Sequence, residues 1–212
     1  RALIEGIEAE TGWHPFYDGD NPIGLRNDEV AGGISLEPGG QFELSGSPQV
    51  DLHGTADELA EHMRVTKKVA APLDIHFLGL GVTPIWSVDE IPSMPKSRYG
   101  IMKPYMEQVG TLGTSMMFRS CTVQANLDFS SEADMVKKLR VSVALQPVAT
   151  ALFANSPFAD GRDTGYLSYR SHIWLNTDEA RTGMLPFAFE EGMGFERYAD
   201  HALDVPMYFV IR

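Results

Sequence analysis

Two glutamates, Glu37 and Glu43, stand on either side of the turn signal Pro38-Gly39-Gly40. Further along, Gln124, Asn126 and Asp128 recur at every second residue within Cys121–Phe129. These are compact oxygen donors, whereas Lys, Glu and Thr usually dominate a wet sheet face. Hard divalent cations want oxygen ligands, and Mg²⁺ is commonly held by one or two carboxylates with water and phosphate. One reading is a sheet whose concave face holds Mg²⁺ and a nucleotide. The competing reading makes Glu37 and Glu43 solvated strand residues. Geometry bears on the choice. A strict two-residue hairpin at Gly39-Gly40 puts the two glutamates on opposite faces. Joint metal binding needs a bulge or a wider loop.

The elements that must position these residues follow from the apolar pattern. Arg1–Glu10 has helical spacing and stops at Gly12. Trp13–Tyr17, Ile23–Arg26, Ile34–Glu37 and Gln41–Ser45 read as short strands. Thr55–Ala71 reads as a helix with Thr55 and Glu58 as its capping pair and Pro72 ending it. Ile75–Leu80 is expected to be a strand, Val82–Pro95 irregular, and Arg98–Val109 a helix kinked near Pro104. Cys121–Phe129 carries the clearest strand pattern, its polar set on one face and its apolar set on the other. Ser130 or Ser131 is expected to cap a helix running to about Ala154, with Leu139, Val143 and Val148 inside and a bend at Pro147. Leu167–Trp174 and Met207–Ile211 are expected strands, and Phe195–Leu203 a helix. Strands come in pairs or between helices of varied length, without regular βαβ spacing. That predicts an α+β fold with an antiparallel or mixed sheet rather than a doubly wound one.

Composition bounds the function. The chain has 212 residues, of which 43% are hydrophobic, enough for one sizeable core. Its 17 basic and 29 acidic side chains give a net charge of −12. That argues against nucleic acid, which needs clustered Lys and Arg. A single cysteine, Cys121, excludes an internal disulfide framework and points to a reducing compartment. No window of about 18 apolar residues marks a membrane span. The Gly79-Leu80-Gly81 segment has Pro84 where a dinucleotide fingerprint needs its third glycine, which rejects a Rossmann reading. The start at Arg1, with no leader pattern, suggests a piece of a longer protein.

Five segments carry a resemblance. They are Ser35-Leu36-Glu37-Pro38-Gly39-Gly40-Gln41-Phe42-Glu43-Leu44-Ser45-Gly46, Cys121-Thr122-Val123-Gln124-Ala125-Asn126-Leu127-Asp128-Phe129, Ala154-Asn155-Ser156-Pro157-Phe158, Tyr169-Arg170-Ser171-His172-Ile173-Trp174 and Asp204-Val205-Pro206-Met207-Tyr208-Phe209-Val210. In this order they resemble glutamate–cysteine ligases of the plant and alphaproteobacterial type, within the wider glutamine synthetase-like superfamily. The resemblance implies a curved, mainly antiparallel sheet around the active site with helices on its outer face. It implies that residues 1–212 form a single, partial catalytic domain, lacking the family's first strand and its C-terminal portion.

It also implies a reaction: ATP phosphorylates the side-chain carboxylate of glutamate, and the amine of cysteine displaces phosphate. Mg²⁺ and ATP are the implied cofactor and co-substrate, with glutamate and cysteine as substrates. The acceptor amine is the least legible part, so a ligase using another amine is an alternative, as is a non-catalytic fragment that binds glutamate or a partner. By resemblance, Glu37, Glu43 and Gln124 are metal ligands, Gln124 standing where relatives often carry histidine. Arg98 and Arg170 bind the glutamate substrate, and Arg170 also serves catalysis. Tyr208 borders the substrate site. Arginine suits this work because its planar fork meets carboxylate or phosphate bidentately. Without the resemblance, an arginine in an acidic chain is read as a surface ion pair. Arg119 is a secondary candidate, His172 is read as structural, and Cys121 as a packed strand residue. The expected assembly is a monomer or homodimer. The expected location is a bacterial cytoplasm, with a plastid as the alternative.

Overall fold

A computed structural model describes residues 1–210, in which the chain divides into two compact units. The first comprises Arg1–Gly79 and Ile91–Met102, the second Leu80–Glu90 and the residues from Lys103 onward.

The first unit begins with α1 (Ala2–Thr11), ended by Gly12 at φ 71°, a left-handed cap that costs glycine nothing. A four-stranded antiparallel meander follows: β1 (His14–Asp18), β2 (Asn21–Asn27), β3 (Gly32–Leu36) and β4 (Phe42–Ser45). Then comes α2 (Leu52–Ala70). Ile4, Ile7, Leu25, Ile34 and Val65 form the core, with Leu36, Phe42, Leu44 and Val69 packed against it. The amphipathic faces of α1 and α2 thus cover one face of the sheet. The cap of α2 lies upstream of the expected one: Asp51, not Thr55, accepts the Gly54 N–H, at 3.0 Å. The expected strand Ile75–Leu80 is irregular, with Ile75, Phe77 and Leu78 exposed. Only Phe77 finds aromatic company, 5.7 Å from the Phe42 ring.

A third helix, α3 (Ser97–Met106), tolerates Pro104 within it, and the division between units falls inside it. The second unit continues with α4 (Gly113–Arg119), α5 (Glu132–Leu152), a two-stranded ribbon β5 (Phe158–Ala159) and β6 (Arg162–Asp163), α6 (Tyr169–Leu175) and α7 (Phe195–Asp204). Ser131 caps α5 by accepting the Asp134 N–H, as expected. Leu139 and Val143 are half-buried, but Val148 is exposed rather than inside. No helix among the described residues is long and apolar enough to cross a membrane.

The architecture is α+β with an antiparallel sheet, but three strand expectations besides Ile75–Leu80 fail. Cys121–Phe129 is irregular, and from Thr122 onward it is exposed. Alternation shows which faces a strand would have. A strand also needs partners for its N–H and C=O groups; here the Cys121 N–H donates to the Gly81 carbonyl at 3.0 Å, beside the isolated Val82–Ser120 bridge, and among the described residues no ladder continues from there. Leu167–Trp174 is largely the helix α6, because Ile173 anchors it as a fully buried residue and the i, i+4 spacing from Tyr169 serves a helix equally well. Met207–Val210 has no regular structure, and Ile211 lies outside the described residues.

Candidate active site

The connection between β3 and β4 decides where Glu43 points. Leu36 pairs with Phe42 and Ser35 with Glu43. The Glu37 N–H donates to the Gln41 carbonyl at 2.8 Å, and the Gly40 N–H to the Glu37 carbonyl at 2.8 Å. Pro38, Gly39 and Gly40 therefore form a three-residue loop, closed by Gly40 at φ 82°. The wider loop moves the register one residue from the two-residue hairpin, and a one-residue slip swaps faces. Glu43 thus shares a face with Ser35, whose hydroxyl donates to Glu37 Oε1 at 3.0 Å. Ile34, Leu36, Phe42 and Leu44 take the other face, toward the core. The condition for joint work by the two glutamates is met.

The segment leading into α3 closes on this face. The Met94 N–H donates to the Pro38 carbonyl at 2.9 Å, and the Ser97 N–H to Asp18 at 2.6 Å. Lys96 Nζ lies 3.4 Å from Glu37 Oε1, and its side chain is only 7% exposed. Arg98 Nη2 lies 3.7 Å from Glu37 Oε2. Tyr99, buried, puts its hydroxyl 3.4 Å from the same oxygen and 3.3 Å from Arg98 Nη2. Burial pushes the Lys96 ammonium below the ordinary lysine range, with the charge of Glu37 pulling the other way. Burial, and then the charge of Glu37, raises the Glu43 carboxyl. The two carboxylates share a face, a donor set of the kind that suits a divalent cation. Among the described residues no group of three or more His, Cys, Asp or Glu gathers for a metal. A cation here would rest on two carboxylates with water and substrate oxygens, which is how Mg²⁺ is commonly bound.

The structure brings Glu37, Glu43 and Arg98 together in the first unit. The other candidates belong to the second. Gln124 sits on the exposed irregular segment, its amide 3.5 Å from Asn126, and not on a strand. Arg170 opens α6 rather than ending a strand. Its backbone N–H donates to Ser156 Oγ at 3.1 Å, and its guanidinium stacks 5.5 Å from the Trp174 ring. Its Nε is buried without a hydrogen-bond partner among the described residues, and burial lowers its pKa. Cys121 lies close enough for the Arg170 charge to oppose the upward push of burial on its thiol. Tyr208 packs edge-on against Tyr105 at 4.6 Å, with the Arg181 guanidinium 5.2 Å from its ring. Arg119 is buried and ion-pairs with Asp160 at 3.0 Å, and His172 stacks on Tyr166 at 4.6 Å. A groove of about 590 Å³ along α5, lined by Glu132, Lys137 and Arg140 among others, includes none of the candidate residues.

Ser35, Lys96 and Tyr99 were not singled out by the sequence. Lys96 and Tyr99 flank Arg98 at the start of a helix, but burial of a lysine leaves no trace in spacing.

The profile of the glutamate-cysteine ligase family 2 (GCS2) matches residues 11–212. The chain belongs to this family. It is 59% identical over 210 residues to the chloroplastic glutamate–cysteine ligase of Medicago truncatula, covering 99% of this chain and 41% of that protein. It is 57% identical over 210 residues to the Arabidopsis thaliana counterpart, covering 99% and 40%. To ligase B of Oryza sativa subsp. japonica it is 55% identical over 212 residues, covering 100% and 42%. This GCS2 chain thus spans about two fifths of the length of the curated relatives it matches.

Proposed function

We propose that the protein carrying this chain joins the side-chain carboxylate of glutamate to the amine of cysteine, at the expense of ATP, in the first step of glutathione synthesis. The observation that carries this reading is the shared face of Glu37 and Glu43 with Arg98 beside them, in a chain of the glutamate–cysteine ligase family. Both units would be parts of one catalytic domain built around a curved sheet with helices outside it.

A free carboxylate acylates poorly, and phosphorylation gives it a leaving group. The difficulty is charge, since ATP, glutamate and departing phosphate are all anions. Glu37 and Glu43 would hold Mg²⁺, which when bound neutralises phosphate oxygens and aligns them with the acceptor. By resemblance to the family, Gln124 would serve as a weaker neutral ligand. Arg98 would clamp a substrate carboxylate through its fork, held in orientation by the Tyr99 hydroxyl. Arg170, with its Nε unpaired among the described residues, would take the second glutamate or phosphate contact and stabilise charge during transfer. Tyr208 would border the site through its packing on Tyr105.

The names of the relatives support a plastid location, and a bacterial cytoplasm is the alternative. The assembly is proposed as a monomer or homodimer, and residues 1–212 alone as inactive.

Phosphate release by the full-length protein, measured with glutamate and a panel of amines, tests the reading. Turnover that requires cysteine and falls at least about a hundredfold in Arg98→Ala or Glu43→Gln supports it. Preference for another amine would make it a different glutamate ligase. Full activity in Glu43→Gln would remove the metal assignment.

A further inference from the structure

The charges on the Glu37 face already balance: two carboxylates, Glu37 and Glu43, meet two cations, Lys96 and Arg98. Both oxygens of Glu37 are occupied. Oε1 faces the Lys96 ammonium at 3.4 Å and the Ser35 hydroxyl at 3.0 Å. Oε2 faces Arg98 at 3.7 Å and the Tyr99 hydroxyl at 3.4 Å. A divalent ion arriving there would meet an ammonium already in place. The two cations differ in how they are held. Arg98 hydrogen-bonds Tyr99 and stacks 5.1 Å from its ring. The contacts of the Lys96 ammonium are the long 3.4 Å approach to Glu37 and a ring 5.6 Å away. A charge-assisted bond normally measures 2.7–2.9 Å. Lysine carries a compact charge on a flexible stem, and a lysine this buried ordinarily needs a partner.

We infer that Lys96 is the resident counter-ion of Glu37, and that divalent-cation binding displaces its ammonium from that carboxylate. The inference rests on the proposed metal site. Lys96 orders Glu37 in the cation-free protein and weakens cation binding by direct competition. It thereby sets the cation concentration at which the site loads. Coulomb's law at this separation, between its bulk-water and near-surface limits, makes the competition worth about tenfold in affinity or more.

The test is calorimetric titration of the full-length protein with Mg²⁺, without nucleotide or amino acids. Lys96→Met and Lys96→Gln remove the charge at similar length, and Lys96→Arg keeps it. Tightening of Mg²⁺ binding by about tenfold or more in a charge-removed variant, with Lys96→Arg no tighter than the parent, supports the inference. Equal or weaker binding in a charge-removed variant that melts like the parent overturns it. Should Lys96→Met not fold, Lys96→Gln decides by the same criterion. Loss of the metal reading itself looks different: no uptake by the parent, or undiminished uptake by Glu43→Gln, would sink both.

Discussion

Deleting Gly39 perturbs the step on which the site depends. With Gly39 gone, keeping the Glu37–Gln41 pair would need a two-residue turn with Pro38 first, and the turns that suit such hairpins need a positive φ there, which proline cannot adopt. The next closure, a loop of Pro38, Gly40 and Gln41 between Glu37 and Phe42, places Glu43 opposite Leu36 instead of Ser35. Every β4 side chain would then change face. Phe42 and Leu44 now pack, half-buried, against the core. Full burial of such a side chain is worth about 1.5–3 kcal/mol, so half-burial of the two together contributes roughly 2–3 kcal/mol. Turning Glu43 toward Ile34 and Leu25 adds the cost of removing a carboxylate from water, or of protonating it, several kcal/mol more. The sum rivals the whole stability of a small unit, about 5–15 kcal/mol. The slipped register is therefore not an available fallback, and the variant should lose the β3–β4 pairing. Hydrogen exchange should show lost protection at the β3 and β4 amides, with a thermal midpoint lower by at least several degrees. Cation binding should vanish with it. An unchanged midpoint together with unchanged cation binding would refute the claim that this loop sets the face of Glu43.

Two further outcomes concern a glycine pair in the second unit and the Glu43 carboxyl. Gly110 has φ 61°, and an added Cβ would sit 2.3 Å from the Thr177 carbonyl oxygen, whereas Gly161 at φ 70° has nothing within 4 Å. Gly110→Ala should destabilise by several kcal/mol and Gly161→Ala by only about 1–2 kcal/mol, the strain of a left-handed alanine, as read by chemical denaturation; equal losses would contradict the clash. The Glu43 carboxyl is raised in the folded chain by burial and by Glu37. The folded state therefore holds the proton to higher pH than the unfolded state. That contribution is fully present below the ordinary carboxylate pKa and is lost as pH rises through the raised value. In chelator, Glu43→Gln should gain stability relative to the parent on going from acid to neutral pH. A pH-independent difference between the two denaturation midpoints would show that Glu43 feels no such neighbour.

Local chemistry made much of this protein legible. Gly12 ends α1 because a left-handed cap is a local requirement, and Ser131 opens α5 because its hydroxyl reaches the Asp134 N–H three residues on. Pro38-Gly39-Gly40 marked a turn, and its width was the open question. Five long segments in order carried the family likeness, and the match over residues 11–212 agrees. Errors appeared where a residue's state depends on partners distant in sequence. The alternation in Cys121–Phe129 is real but recruits no ladder among the described residues. Tyr169–Leu175 is rich in residues that favour strands, yet burial of Ile173 made it a helix.

The sequence by itself determined the turn, the caps at Gly12 and Ser131, the acidic balance and the kinship with glutamate–cysteine ligases, all of which are written in neighbouring residues or in their order. Only tertiary structure decided that Glu43 shares a face with Glu37, and that a lysine with a nearly buried side chain lies against Glu37. Register and burial are settled by which long-range packing excludes the most apolar surface from water, and no local spacing records that choice.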